Sequence, residues 1–392
     1  MLRLIVEAGG RFSFADAAWA LRLAGVSISP RHIRQLTVLI GGELAAARDA
    51  QAVAHRRRQL EPEAAPPPPE VVATVEVDGG RLRTRAMDCG PGVHQAQPKE
   101  DKVACLLTLP VAVPDQDPQP EPPPSFLEPR RVQRLVQQMK GRSGEPPAEE
   151  GEPAANRPDL PPRRPAEAAA PGRRRTCLAS LCASRSFGPL LAAAAQRQGF
   201  YQAARRAFLG DGQAYNWTIH RGYFRHFEPI VDFLHVLCYV YLAAWGVGHD
   251  EAERWSLYLG WLRACWQGRV GEVLEALGTW QGRLGKPPPG EALPESDPRR
   301  LVAEALTYLT NNQSRMDYPR YRRQGLPVTS SLVESLVGEF NARVKGREKF
   351  WNRPEGAEAI LQVRAALLSD DDGLGRHIAQ RPGSPYRRRK AG

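Results

Sequence analysis

The chain has 392 residues, with 54 lysines and arginines against 43 aspartates and glutamates, a formal net charge of +11 and a pI near 9.6. That balance favours a polyanionic partner without naming one. No apolar run reaches the ~20 residues of a membrane span, no signal peptide is expected, and six cysteines without paired metal-site spacing predict reduced thiols in a cytoplasmic protein with no membrane partner.

In chain order, residues 1–60 predict a small helical domain. Phe12 to Leu23 and Pro30 to Leu39 have a helix-turn-helix pattern, with Ser29 as N-cap and Pro30 at the first helical position. Arg31 and Arg34 then stand on exposed early positions, where they would meet DNA, or the two helices would serve dimerisation. A further helix rich in Ala and Arg runs from Gly42 to Arg58.

Residues 70–109 predict strands 1–3. The first, Val71 to Val77, is rich in β-branched residues and ends at Asp78-Gly79-Gly80; Leu82 to Ala86 is its hairpin partner, and Lys102 to Leu109 is the third. Sixteen of the 36 prolines fall between Pro110 and Pro171. With so few aliphatic residues, 110–175 is predicted to be a disordered insert, interrupted by one short helix near Arg130 to Lys140.

Order returns over 176–247, with an Ala-rich helix from Phe187 to Gln198 and a fourth strand ending at Leu209. The triplet Gly210-Asp211-Gly212 follows, so a carboxylate stands at the C-terminal edge of a strand, where α/β sheets place their chemistry. Phe227 to Asp232 is a fifth strand that runs into a helix bearing His235. Residues 248–298 predict a helical insertion whose Trp255, Trp261, Trp266 and Trp280 belong to its core. In 299–368 a helix beginning near Ser331 buries Leu332, Leu336, Phe340 and Val344, and carries Glu334, Gly338, Asn341 and Lys345 on another face. Residues 369–392 are predicted to be a basic, disordered tail.

The stretches Glu76-Val-Asp-Gly-Gly80, Glu100-Asp-Lys-Val-Ala104, Leu209-Gly-Asp-Gly212, Ile230-Val-Asp-Phe-Leu-His235, Asn311 to Met316, Arg322 to Ser335 and Arg343-Val-Lys-Gly346 together resemble the DDE transposases of bacterial insertion sequences, in the Kra-type group. The resemblance covers about Val71 to Leu109 and Arg205 to Leu368. It implies a ribonuclease H-like α/β fold with a mixed five-stranded sheet and an all-α insertion, preceded by a small helical N-terminal domain. It also implies cleavage and transfer of DNA strands by a homo-oligomer at the nucleoid, with Asp78, Asp211 and Glu334 holding Mg2+ or Mn2+.

Asp232 competes with Asp211 for the middle place. Asp211 is preferred because it directly follows the strand that neighbours the first in this plan; Asp232, His235 and Asn341 are given supporting places around the ligands. From Asn311 to Gly392 there are 16 lysines and arginines against 9 aspartates and glutamates, hence 16 − 9 = +7. Arg315, Arg320, Arg322, Arg323, Arg343, Lys345, Arg347 and Lys349 are expected to grip DNA, with Tyr318, Tyr321, Phe350 and Trp351 available to stack on unpaired bases. A catalytically inactive or repurposed DNA-binding descendant of such an enzyme would present the same surface.

Overall fold

A computed structural model describes residues 1–85, 96–140, 174–290, 292–330, 339–340, 343–344, 351 and 354–382. Its centre is a five-stranded mixed sheet with strand order β3-β2-β1-β4-β5. The strands are β1 (Val71–Arg85), β2 (Ala96–Pro110), β3 (Arg174–Ser180), β4 (Arg205–Gly210) and β5 (Glu228–Val231). β2 is antiparallel to both β1 and β3, whereas β1, β4 and β5 run parallel. This arrangement is compatible with a ribonuclease H-like fold.

Two strand expectations change. Leu82 does not begin a hairpin partner: β1 runs straight through Gly79 and Gly80, because β2 keeps pairing with it as far as Arg85 opposite Ala96. The third strand of the sheet is β3, whose first two residues, Arg174 and Arg175, were assigned to the disordered insert. Its apolar half, Cys177 to Ala179, is buried where β3 pairs with β2.

Register decides which side chains share a face. Glu76 lies opposite Cys105 and Asp78 opposite Val103, so both acids stand on the face of Val103, Cys105 and Leu107. Helix α12 (Pro354–Leu368) covers that face, and Phe340 and Val344 are buried in the same cluster, as the stripe predicted for them requires; Leu332 and Leu336 lie outside the described residues. On the other face, Val75, Val77, Ala104 and Leu106 share one core with α5 (Ser184–Arg197), α6 (Ala214–Tyr223) and α7 (Phe233–Val247). The all-α insertion continues from α7 as α8 (Glu251–Trp266) and α9 (Val270–Leu284), and returns through α10 (Pro298–Asn312) and α11 (Tyr318–Arg323). Asp250 and Asp297 accept from backbone N–H groups of Glu253 and Arg299, N-caps worth about 1 kcal/mol each. Trp261 and Trp266 are buried, as expected of core tryptophans, and Trp255 and Trp280 pack against the same core.

The N-terminal segment forms α1 (Leu2–Arg11), α2 (Phe14–Leu23) and α3 (Pro30–Arg56), the last a single helix capped by Ser29 as predicted. It is not detached from the sheet. Gly41 of α3 lies so close to α12 that a Cβ there would meet the Ala359 carbonyl oxygen at 2.1 Å. Glu358 of α12 ties three elements together, accepting from Arg48 of α3 at 2.7 Å, from Ser180 Oγ at 3.0 Å and from the Leu181 amide at 2.7 Å.

The first part of the expected disordered insert is also ordered. Residues 111–128 lie along the helical insertion: Trp266 Nε1 donates to the Gln119 carbonyl at 2.8 Å and the Tyr258 hydroxyl to the Phe126 carbonyl at 2.9 Å. Helix α4 (Pro129–Lys140) follows, burying Val132 and Val136. A proline-rich chain can be held this way because its carbonyls accept from outside while its missing N–H groups need no partner.

Candidate active site

A cleft of about 830 Å³ opens at the end of the sheet, between β1, the turn after β4, α7 and α10. Asp78 and Asp211 both line it. Val77 and Gly210 are register partners of the parallel pair β1 and β4, so Asp78, within β1, stands level with Asp211, the first residue after β4. The sequence brings them there by a simple device: in each of two interior strands a run of buried, mostly apolar residues gives way to an acid and a glycine, within β1 at Asp78 and just past β4 at Asp211.

Asp211 is held firmly. Its Oδ1 accepts from the Gln213 amide at 2.9 Å and from Asn216 Nδ2 at 2.7 Å, and its carbonyl accepts from the Tyr308 hydroxyl at 2.9 Å. Both donors to the carboxylate, one backbone and one side chain, sit on Oδ1, which leaves Oδ2 as the oxygen for a ligand. Gly212 makes the turn at φ +92°, and a Cβ there would meet the Tyr308 ring at 2.5 Å, so no other residue fits. Burial, reinforced by the charge of Asp78, pushes the Asp211 carboxyl above the usual carboxylate range, against the opposing pull of His235 and the two donors. Asp78 is half-buried, and its Oδ1 accepts from the Gly79 amide at 2.7 Å.

Asp232 has a different place. It is 2 % exposed and caps α7, accepting from the Leu234 amide at 3.1 Å, from the Ser330 amide at 3.0 Å and from Ser330 Oγ at 2.5 Å. His235, which does line the cleft, has Nε2 at 3.9 Å from Asp232 Oδ2. Asp232 therefore fixes the segment around Ser330 to the start of α7, and His235 acts electrostatically on both Asp232 and Asp211.

Glu334, Asn341, Lys345, Arg347 and Lys349 lie outside the described residues. Among the described residues no group of three or more acidic, histidine or cysteine side chains is placed to hold a metal ion; Asp78 and Asp211 are two carboxylates of the expected three.

Three groups at the site were given no role from the sequence: Tyr215, and Glu100 and Glu76, which entered only as parts of the stretches that carry the family resemblance. Glu100 of β2 lines the cleft beside Asp78 and is paired at 2.9 Å with Lys102, whose side chain is 2 % exposed. Among the described residues the buried Tyr215 hydroxyl has no hydrogen-bond partner, and it lies 3.5 Å from where a Cβ on Gly79 would be. Burial first, then the charges of Asp211, Asp78 and Glu100, push that phenol well above its ordinary range, so it stays a donor. Burial and the charge of Asp232 raise the Glu76 carboxyl well above the usual range.

The basic residues expected to grip DNA divide into two sets. Arg31, Arg34 and Arg323 are exposed. Arg315 lies over the Trp217 indole at 4.3 Å. Arg320 is half-buried in ion pairs with Glu228 at 2.7 Å and Asp317 at 3.0 Å. Arg322 and Arg343 are corrections: both are buried. Arg322 pairs with Asp117, while Arg343 donates to the Gly9 carbonyl at 3.1 Å and lies over Phe14. Tyr318 and Tyr321 are buried too, and Trp351 donates to the Val344 carbonyl at 3.0 Å, so these rings belong to the core rather than to a base-stacking surface. Hydrophobic neighbours at helical spacing absorbed side chains whose local sequence alone looked like a basic, aromatic surface.

Among the described residues no helix is long and apolar enough to cross a membrane. Compared with protein-family models and with curated proteins, the chain matches none.

Proposed function

We propose that this chain is a DDE-type transposase, acting as a homo-oligomer on DNA to cleave and transfer strands at the ends of an insertion-sequence element. The observation that carries the reading is the meeting of Asp78 and Asp211 at one level of two adjacent parallel strands, on the wall of an open cleft, in a sheet of order β3-β2-β1-β4-β5. Two carboxylates side by side repel each other unless a cation or a proton lies between them; burial first, and the Asp78 charge in smaller part, raise the proton affinity of Asp211.

The donor set fits a hard divalent ion. Carboxylate oxygens suit Mg2+ or Mn2+, and magnesium keeps several waters, so few protein ligands suffice. Asp78 and Asp211 would hold the ion, with Glu334 as the third carboxylate. When bound, such ions neutralise charge on the attacking and leaving oxygens of a phosphodiester. The protein's own part is positional. Gln213 and Asn216 fix the Asp211 carboxylate by its Oδ1, Tyr308 fixes its backbone, and Asp232 anchors Ser330, four residues before Glu334 in sequence.

The test is incubation of the purified protein with plasmid DNA carrying the sequences that flank its gene. Nicks at a discrete position, dependent on Mg2+ or Mn2+ and abolished by EDTA, are expected. Absence of any metal-dependent nicking on those flanks would refute the reading.

A further inference from the structure

Two arginines on the segments that follow the cleft-lining residues Gln213 and Asn312 have no acidic partner among the described residues. Arg315 follows α10 on a short turn, and Arg221 stands on α6 one helical turn beyond Trp217, hence on the same face of the helix. The Arg315 guanidinium lies 4.3 Å over the Trp217 ring, donating only to the Asn311 carbonyl at 3.0 Å; Arg221 donates only to Thr218 Oγ1 at 3.2 Å. Among the described residues neither makes an ion pair. Burial together with the charge of Arg221 holds the Arg315 guanidinium below its ordinary range. His220 adds a third nitrogen group to the same neighbourhood, its proton affinity lowered by burial and by both arginines. Like charges placed together without a counter-charge cost free energy, which a bound anion would return.

The place is mechanically continuous with Asp211. Trp217 Nε1 donates to Asn312 Oδ1 at 2.9 Å, Asn312 donates to the Tyr308 carbonyl at 3.0 Å, and Tyr308 donates to the Asp211 carbonyl at 2.9 Å. Eight residues of α6 at about 1.5 Å each put Arg221 roughly 12 Å beyond Gln213. That span corresponds to about three to four nucleotides along a duplex axis, at 3.4 Å per nucleotide of one strand.

We infer that Arg221 and Arg315 clamp a single DNA backbone phosphate, three to four nucleotides from the phosphodiester that reacts at Asp78 and Asp211. The inference rests on the nuclease reading of the cleft for its register, and on the arginine pair for its existence. Trp217 supplies a rigid platform that holds the Arg315 fork in place, and Arg221 closes on the phosphate from α6.

The test uses the full chain and a fluorescein-labelled 30-base-pair duplex of arbitrary sequence, with affinity measured by anisotropy over a series of salt concentrations. Arg221→Gln, an exposed change that leaves the core intact, should lower the slope of log K against log[salt] by about 0.9, the value for one phosphate no longer neutralised. Arg315→Gln should do the same, and the double variant should lose little more than either single one, because both act on one phosphate. Arg221→Lys should restore most of the slope. An unchanged slope in both single variants, or a wild type that does not bind the duplex, would overturn the clamp. The two readings separate cleanly: metal-dependent nicking with unchanged slopes removes the clamp and keeps the cleft, whereas altered slopes in a protein that never nicks keep the clamp and remove the cleft.

Discussion

Removing Asp117 should destabilise this protein far more than its place in a proline-rich segment would suggest. The side chain of Arg322 is 5 % exposed and that of Asp117 15 % exposed. They meet in a two-pronged pair, Nε to Oδ1 at 2.7 Å and Nη2 to Oδ2 at 2.5 Å, while Nη2 also donates to the Trp266 carbonyl at 3.1 Å and the guanidinium lies 4.3 Å over the Trp266 ring. Asp117→Ala leaves the arginine charged and buried, which costs about 3–5 kcal/mol, whereas removing both charges with Asp117→Ala and Arg322→Met should cost less than either single change. Hydrogen bonding from Arg322 holds the Asp117 carboxyl below its usual range. A depressed value stabilises above the unfolded pKa, about 3.9, and that contribution is lost as the pH falls through the folded one. The Asp117→Ala penalty should therefore shrink in acid. Urea unfolding followed by circular dichroism reads the penalty, and limited proteolysis reads any local undocking of residues 111–128. A penalty under about 1 kcal/mol would refute the buried-pair argument. A reduced DNA salt slope in folded Arg322→Met would return Arg322 to the DNA surface.

Three further changes are informative. Glu76→Gln should raise the thermal midpoint at pH 7: burial and Asp232 raise the folded pKa of Glu76, so its protonated form stabilises fully below about pH 4.3 and that contribution is lost as the pH rises through the raised value. Calorimetry from pH 4 to 8 should show the gain vanishing in acid, and a gain independent of pH contradicts the explanation. Gly41→Ala forces a methyl group onto the Ala359 carbonyl and should cost about 1–3 kcal/mol in chemical denaturation, with no loss if α3 and α12 are in fact apart. Asp232→Ala removes an N-cap and the acceptor of two Ser330 donors, a loss of about 2–4 kcal/mol; a variant as stable as the wild type would show that Asp232 does not anchor that segment.

The two carboxylates of the candidate site were legible from their local pattern. Asp78 and Asp211 each follow a run of buried residues and precede a glycine, and the structure brings them together. The extent of β1 was not legible. Gly79-Gly80 looks like a turn, but pairing with β2 carries the strand through it, and glycine there leaves room beside Tyr215 and Glu100. β3 escaped because only Cys177, Leu178 and Ala179 mark it as buried, after a run of arginines. Composition misjudged residues 111–128 for a tertiary reason: their partners, Trp266, Tyr258 and Arg322, lie more than a hundred residues away in sequence. Arg322 and Arg343 were misplaced by the same limit, since a buried arginine is recognised only by what surrounds it.

The measurement closest to the central claim is Mn2+-dependent nicking of flank-bearing DNA by Asp78→Asn, Asp211→Asn and Asp232→Asn, with DNA affinity measured on the same preparations. Asp78→Asn and Asp211→Asn should lose more activity than the roughly 10–100-fold typical of residues that only orient a metal ligand, and Asp232→Asn should stay within that range. Affinity should be nearly unchanged in all three, because the phosphate grip lies elsewhere. Full nicking by Asp211→Asn, with loss confined to Asp232→Asn, would contradict the placing of the site at the end of β4.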